Sequence, residues 1–575
     1  MLTIAIVTLI TNVTLRAQTP YAVINPGQTD YNSNLAVYPD HDGNFYLISK
    51  SYYAQDLDPG IGVTTYGPPY QQVLIAKYTD NMTLLWSAHI EQAGILNPKA
   101  AYVLPDNSIQ LAGTSSTDLI IYSTTGTSTL VTQVGQPMWT VRLDSDGGLV
   151  NAISVGGPNG SSAPYPYSVT ANAAGDITIT GTYIGNVDFD PGAGTTTLSG
   201  SLTDGYGFIA KYAAAGTLLW VKKLGLSSNY CTILDHTIDQ YGNIILGGWF
   251  TGTVDMDHDP LVTHNLIALG SGDGFFAKYN ADGNYLWSGA LAENMFYGGV
   301  NEIETDPSGN IYISGFMDKP CDFDIGVGVK TRKPHGTGFY IAKYKSDGVL
   351  KWVRQPAGNG DFLLHDLYVD SEGNALCSGT FSGTFDFDFG NTTYEMSGPD
   401  VDLLLTDQWF SSHDKNGDFN YAFSLQTDPT VIAGISSIYS IGVTTTNKLI
   451  IAGKYLKSMD IDPGPGTWMI SIPGADQSGF VIAYDQPAFK ESAPSVSGIT
   501  ISPNPVDDVL HITAIPGDQV HMNMYDMQGR KMISVDITSA NNTIDIPVNE
   551  FPEGMYFVSL MHDGITETNT VVVAH

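Results

Sequence analysis

The chain has 575 residues and a net charge of −34, from 24 Lys and Arg against 58 Asp and Glu. So acidic a surface repels phosphate backbones and anionic lipid, which argues against nucleic acid and membrane surfaces as partners. The length exceeds what one core fills, and 62 Gly with 32 Tyr, 22 Phe and only 14% charged residues favours short strands and tight turns, so an all-β chain of more than one domain is expected.

In chain order, the first element is an apolar run, Met1–Ile10, too short to span a bilayer, followed by Leu15-Arg16-Ala17-Gln18. It predicts a signal peptide over residues 1–18, although the usual positively charged start is missing. No Cys lies near the expected cleavage point, which disfavours a lipid anchor, and no later segment is apolar enough to cross a membrane. Cys231, Cys321 and Cys377 are odd in number and sit at non-equivalent places, so they predict buried apolar fillers and not a disulfide framework or metal site.

From residue 19 to 488 the chain repeats itself every 64–74 residues. The most regular mark is a Gly-Asn or Gly-Asp turn entering a short strand that ends in Gly, as in 175–181, 242–248, 309–315 and 373–379; looser copies begin at Gly43, Asn107 and Asn447. A fixed period of this length in strand-rich sequence signals propeller blades. Four pieces recur in each unit. After the Gly-ended strand comes a turn with paired aspartates: Asp56 and Asp58, Asp188 and Asp190, Asp255 and Asp257, Asp322 and Asp324, Asp386 and Asp388, Asp460 and Asp462. A strand ending in Ala-Lys-Tyr follows (75–78, 209–212, 276–279 and 341–344 in the clearest copies), then a strand bearing Trp86, Trp220, Trp287 or Trp352. Asp282-Gly283 and Asp347-Gly348 between the last two are hairpin turns, where Gly supplies a positive φ.

Counting the Gly-ended strands gives seven units and predicts a seven-bladed β-propeller. The seventh has a third strand at Phe480–Tyr484 but no Trp strand after it. Tyr21–Asn25 stands 22 residues before Gly43, much as Trp352 stands 21 before Gly373, so the N-terminal strand is expected to complete the last blade and remove an exposed edge. The pattern resembles the bacterial SBBP-type beta-propeller repeat. Unit 2 departs from it, with Asp118-Leu119-Ile120 for the paired Asp and Trp139–Leu143 for Ala-Lys-Tyr, and unit 6 has drifted to Trp409–His413.

Residues 489–497 read as a linker, and 498–575 differ in character. Short strands at roughly ten-residue spacing with turns between them predict a small immunoglobulin-like β-sandwich. Pro503-Asn504-Pro505, Tyr525-Asp526 followed by Gly529-Arg530, and Gly554-Met555-Tyr556-Phe557-Val558 resemble, in order, the type A C-terminal sorting domain of type IX secretion substrates. That resemblance implies a secreted or outer-surface location, with the type IX translocon and a sortase-like protease as partners. Residues 566–570 lack the Lys or Arg that members of that family often carry, so export is more firmly implied than cleavage and attachment.

No nucleophile elbow, H-E-x-x-H, Walker loop or complete EF-hand loop is present, and the histidines are scattered singly. The paired aspartates are the only recurring chemistry. At i and i+2 in an extended segment two carboxylates point the same way, which suits oxygen-ligated Ca²⁺, while the same residues serve equally as turn caps. No other cofactor is implied. Repeat-locked Trp and Tyr are expected to pack between blades, and the repeated Lys to make contacts between blades. The expected function is an exported scaffold binding glycan or protein, with a polysaccharide hydrolase or lyase acting in the channel as the alternative. No catalytic residue is assigned.

Overall fold

The computed structural model describes residues 20–24, most of 35–486 and most of 500–573. Among the described residues every regular element is a strand and there is no helix. The chain forms two compact units, Met1–Gln486 and Pro487–His575. The signal peptide and linker expected at 1–18 and 489–497 lie outside the described residues.

Within the first unit each repeat centres on four antiparallel strands of one sheet, and short strands of the following unit extend the first and sixth sheets. In the fourth, Cys231–Ile238, Ile244–Phe250, Asp273–Tyr279 and Tyr285–Leu291 pair in chain order. The first strands are Leu35–Pro39, Leu96–Val103, Ala163–Ala171, Cys231–Ile238, Glu302–Thr305, Phe362–Val369 and Ser437–Val443. First strands of neighbouring sheets lie side by side, and that of the last sheet adjoins that of the first, so together they line one axis in a propeller arrangement. Pro20–Ile24 joins the last sheet beside Gln477–Asp485, with Ala22 opposite Ala483 and Ile24 opposite Val481. The start of the chain thus covers the edge that its end would leave open.

The turn from first to second strand explains the Gly-Asn signature. In unit 4 the Asp239 carboxylate accepts the backbone N–H groups of Tyr241 and Asn243, each at 2.9 Å, and Gly242 takes φ +79°. Units 2 and 7 place Asn107 and Asn447 there at φ 59° and 64°, the left-handed region that Asn tolerates best after Gly. The Gly ending the second strand has a different cause. A Cβ on Gly248 would lie 1.9 Å from the Thr232 carbonyl oxygen, because the first strand bulges between Ile233 and Asp235 and crosses closely there. Unit 1 has Ser49 at this register, and its first strand pairs without a bulge.

The Ala-Lys-Tyr and Trp residues tie each sheet to the next. The ammonium groups of Lys77, Lys211, Lys278 and Lys343 donate to the carbonyls of Ser145, Ala281, Ser346 and Lys415, all in the turn between third and fourth strands of the following unit. Trp86, Trp287 and Trp352 donate their indole N–H to the same Ser145, Ser346 and Lys415 carbonyls. Buried apolar side chains fill the space between adjacent sheets; Ile245, Phe276 and Leu291 of unit 4 pack with Ile303, Ile313 and Tyr340 of unit 5. In unit 2, Arg142 takes the place of the Lys and pairs with Asp106 at 2.7 Å.

The second unit has two sheets. Thr500–Ser502, Val509–Thr513 and Thr543–Pro547 form one, while Lys531–Ile537, Val520–Asp526, Gly554–His562 and Ile565–Val573 form the other. They share a core that includes Leu510, Ile512, Met522, Met524, Ile546 and Val558. The count of seven therefore needs correcting: among the described residues the sheets of four or more strands number eight. Seven are built from the repeats and the eighth spans Val520–Val573; it lacks the Gly-ended strand used for counting, so the repeat signature could not register it.

Candidate functional site on the propeller axis

The paired aspartates were the residues singled out by sequence. Asp56 lies in a short strand, Gln55–Asp56, and Asp58 lies outside the described residues. Elsewhere one geometry recurs. The Asp188 carboxylate accepts N–H from Asp190 at 3.1 Å and Thr196 at 2.8 Å. Asp255, Asp322, Asp386 and Asp460 likewise take the N–H of Asp257, Asp324, Asp388 and Asp462, together with one from His264, Lys330, Tyr394 and Trp468. The carbonyl between the two aspartates accepts the hydroxyl of the Ala-Lys-Tyr tyrosine, as from Tyr212 to Phe189 and from Tyr279 to Met256. One oxygen of each first aspartate is thus committed to closing its turn. Among the described residues no three His, Cys, Asp or Glu side chains converge closely enough to hold a metal ion.

A second set of carboxylates gathers on the axis. Asp235, Glu302 and Asp366 occupy one register of three successive first strands, opposite Gly247, Ser314 and Ser378 of their second strands. Each stands seven residues before the turn glycine of its unit, where units 1, 2, 3 and 7 carry Ala36, Ala100, Ser168 and Ser440. Two residues further along the same strands come Tyr38, Tyr102, Glu304 and Tyr368.

The bulge aims some of these side chains sideways. Asp235 accepts the backbone N–H of Ile303 on the next first strand at 2.9 Å, and Asp366 accepts that of Ile441 at 2.7 Å. Ser440 continues the series by accepting the Val37 N–H at 3.2 Å across the closure of the ring. These side chains clasp neighbouring first strands. Glu302 and Glu304 sit between the clasps and share their electrostatic field.

Burial dominates the ionisation of all four. It raises Asp235 to about 6, against the Ile303 N–H, the Ser168 hydroxyl and the His236 N–H. Asp366 rises to about 7 by burial, opposed chiefly by the Ile441 N–H and reinforced by the Asp235 charge. Glu304 rises to about 8 through burial and the charges of Asp235 and Asp366, and burial with the same neighbours and Glu304 pushes Glu302 well above the usual range. Burial and then Glu304 raise the hydroxyl of Tyr102, while burial and then Asp366 raise that of Tyr38. Carboxylates held at different ionisation thresholds beside tyrosines form a set able to bind hydroxyl-bearing ligands or to exchange protons with them.

Other reactive side chains are sequestered. His236 lies between the hydroxyls of Thr170 and Thr180, each 2.8 Å away, and burial lowers it to about 3. The three cysteines are buried and form no disulfide, and burial raises Cys231 to about 12. Sequence reading missed the axial carboxylates because it looked for what repeats. The available signal was the opposite: acidic residues at one repeat position in three consecutive units and none elsewhere.

Residues 500–574 match the family described as the secretion system C-terminal sorting domain. Such a domain marks proteins exported through type IX secretion, so this protein reaches the cell surface or the medium and engages that secretion system. Among the described residues no helix is long and apolar enough to cross a membrane. The chain is 26% identical over 218 residues to an uncharacterized WD repeat-containing protein of Acanthamoeba polyphaga mimivirus, covering 33% of this chain and 15% of that protein. Among solved structures, a protein of unknown function from Dyadobacter fermentans shares 11% identity at a TM-score of 0.33, covering 82% of this chain and 100% of its own. Another from Bacteroides caccae shares 11% identity at a TM-score of 0.27, over 59% and 94% of the two chains. Likenesses this low bear on neither function nor fold detail.

Proposed function

We propose that this protein is an exported binding scaffold, a ring of seven SBBP-like blades that offers its axial channel to a glycan or protein ligand. Its C-terminal unit, read as an immunoglobulin-like sandwich, delivers it, with sortase-type removal after export. The observation that carries the reading is the axial layer of Asp235, Glu302 and Asp366 with Glu304 and three tyrosines. Glu302 and Glu304 break the repeat between the clasps made by Asp235 and Asp366, at positions where a ligand would set the residue type. A second reading, polysaccharide hydrolysis or cleavage in the channel, draws support from carboxylates held near 6 and near 8, since unlike thresholds suit a base and an acid.

One experiment separates them. The full chain and its Glu302→Gln/Glu304→Gln variant are offered a panel of glycans, and retention and new reducing ends are measured. Retention that the variant loses, without new ends, is the expected result. New reducing ends from the wild type alone would replace the scaffold reading by the enzyme.

For the aspartate pairs we propose turn closure as their role, with Ca²⁺ as the tested alternative. A chelator is then expected to leave the melting temperature unchanged, and Asp188→Asn to be nearly neutral, since an amide oxygen still accepts the Asp190 and Thr196 N–H groups. A fall in melting temperature restored by Ca²⁺ but not by Mg²⁺ would assign these turns to metal.

A further inference from the structure

We propose that the axial carboxylate layer is a proton-linked fastening of the ring, tight when Glu302, Glu304, Asp235 and Asp366 carry protons and loosened at units 4 to 6 as they ionise. This stands on side-chain placement and does not rest on the ligand reading above.

The geometry comes first. Four carboxylates project from three adjacent first strands, and two of them are the clasps that hold those strands to the next. The other two belong to Glu302–Thr305, which has four residues where the other first strands have five to nine. Burial, fellow carboxylates and hydrogen bonds govern the ionisation of Asp235, Glu302 and Glu304, and no lysine or arginine is among the groups that do so. Ionising the layer therefore places like charges beside one another on the first strand with the fewest residues.

Hydrogen bonds to Asp235 and Asp366 favour their ionised forms, but burial outweighs them, and among the described residues no opposite charge faces the layer. Tyr38 and Tyr102 present hydroxyls whose own ionisation is pushed up, and Tyr368 donates to the Val443 carbonyl. Ser168 and Ser440 contribute neutral hydroxyls beside Asp235 and Asp366. His236 is held neutral between two threonines. His365 is lowered to about 4 by burial and the Lys454 charge, so it too stays neutral above that pH. Lys454 itself stands over the Tyr439 ring, and Lys99 on the first strand of unit 2 is exposed.

The sign follows from linkage. A carboxyl raised in the folded state gives stability that is complete below the unfolded carboxylate range and lost as pH rises through the folded values. For Asp235, Asp366 and Glu304 the loss begins above the ordinary carboxylate range and is complete at folded values of about 6, 7 and 8.

The test uses the full chain. Its propeller melting transition, followed from pH 5 to pH 8.5 at constant ionic strength, is expected to shift down by several degrees. Glu302→Gln/Glu304→Gln, which keeps shape and removes the charge, is expected to lose at least half of that shift. Hydrogen exchange on the unaltered protein, corrected for the intrinsic pH dependence of exchange, is expected to quicken first in Glu302–Thr305 and its partner Ile311–Met317. A transition independent of pH over this range would overturn the proposal, as would an equal shift in the variant or exchange that quickens evenly around the ring.

Discussion

Replacing Gly248 by alanine is expected to lower the stability of the propeller unit by about 3 kcal/mol, a large loss for one methyl group. The added carbon would meet the Thr232 carbonyl oxygen at 1.9 Å and its carbonyl carbon at 3.0 Å, and backbone atoms cannot swing aside as a side-chain tip can. Relief requires the first strand to retreat and its bulge to flatten. Because that bulge aims Asp235 at the Ile303 N–H, the clasp between units 4 and 5 would fail with it. Gly242→Asn is the matched control. It keeps a residue tolerant of the left-handed region, as Asn107 and Asn447 already do in units 2 and 7, and is expected to cost no more than about 1 kcal/mol. Thermal or denaturant unfolding of the two variants measures both, and equal stabilities would refute the close-approach explanation.

That contrast shows why the fold was legible in the sequence and the axial site was not. Repetition exposes a constraint shared by every sheet. The turn glycine, the strand-ending glycine, the Lys that crosses to the next unit and the Tyr that closes the aspartate turn each recur because one geometry recurs. Even the closing strand could be found, since a missing fourth strand at the end and a surplus strand at the start are complementary. Glu302 and Glu304 answer to no such rule. They are read as neighbours of Asp235 and Asp366 only once first strands 60 or more residues apart in the chain lie side by side. The sheet over Val520–Val573 lay outside the repeat count because it lacks the Gly-ended strand, and strand spacing marked it instead as part of a separate sandwich.

The second large effect is expected at the buried pair of Asp306 and Lys343, 3.0 Å apart, with side chains 5% and 3% exposed. Asp306→Ala should cost about 3–5 kcal/mol, because it strands an ammonium group among Tyr312, Trp352 and the Lys415 carbonyl, which offer no opposite charge. It also frees the Ser308 and Asn310 N–H groups that the carboxylate caps. Lys343→Met should cost less. The remaining carboxylate keeps those two backbone donors and the Asn310 side-chain amide at 2.8 Å, while the methionine fills the space between the rings. The two substitutions together are therefore expected to be less damaging than Asp306→Ala alone, since no charge is then left buried without a partner. Burial raises the Asp306 carboxyl, but hydrogen bonds from Asn310 and Lys343 outweigh it and hold the group below its usual range. Its contribution is present above the unfolded carboxylate range and lost as pH falls through the folded value, opposite in sign to the axial layer. Stability of the unaltered protein should accordingly peak near the ordinary carboxylate range and decline from there to about pH 8. In Asp306→Asn the acid limb should become shallower by one carboxylate's share, since Asp40, Asp106 and Asp239 are lowered in the same way, while the alkaline limb, set by the axial carboxylates, keeps its slope. Loss of both limbs in that variant would mean that the two groups do not act separately.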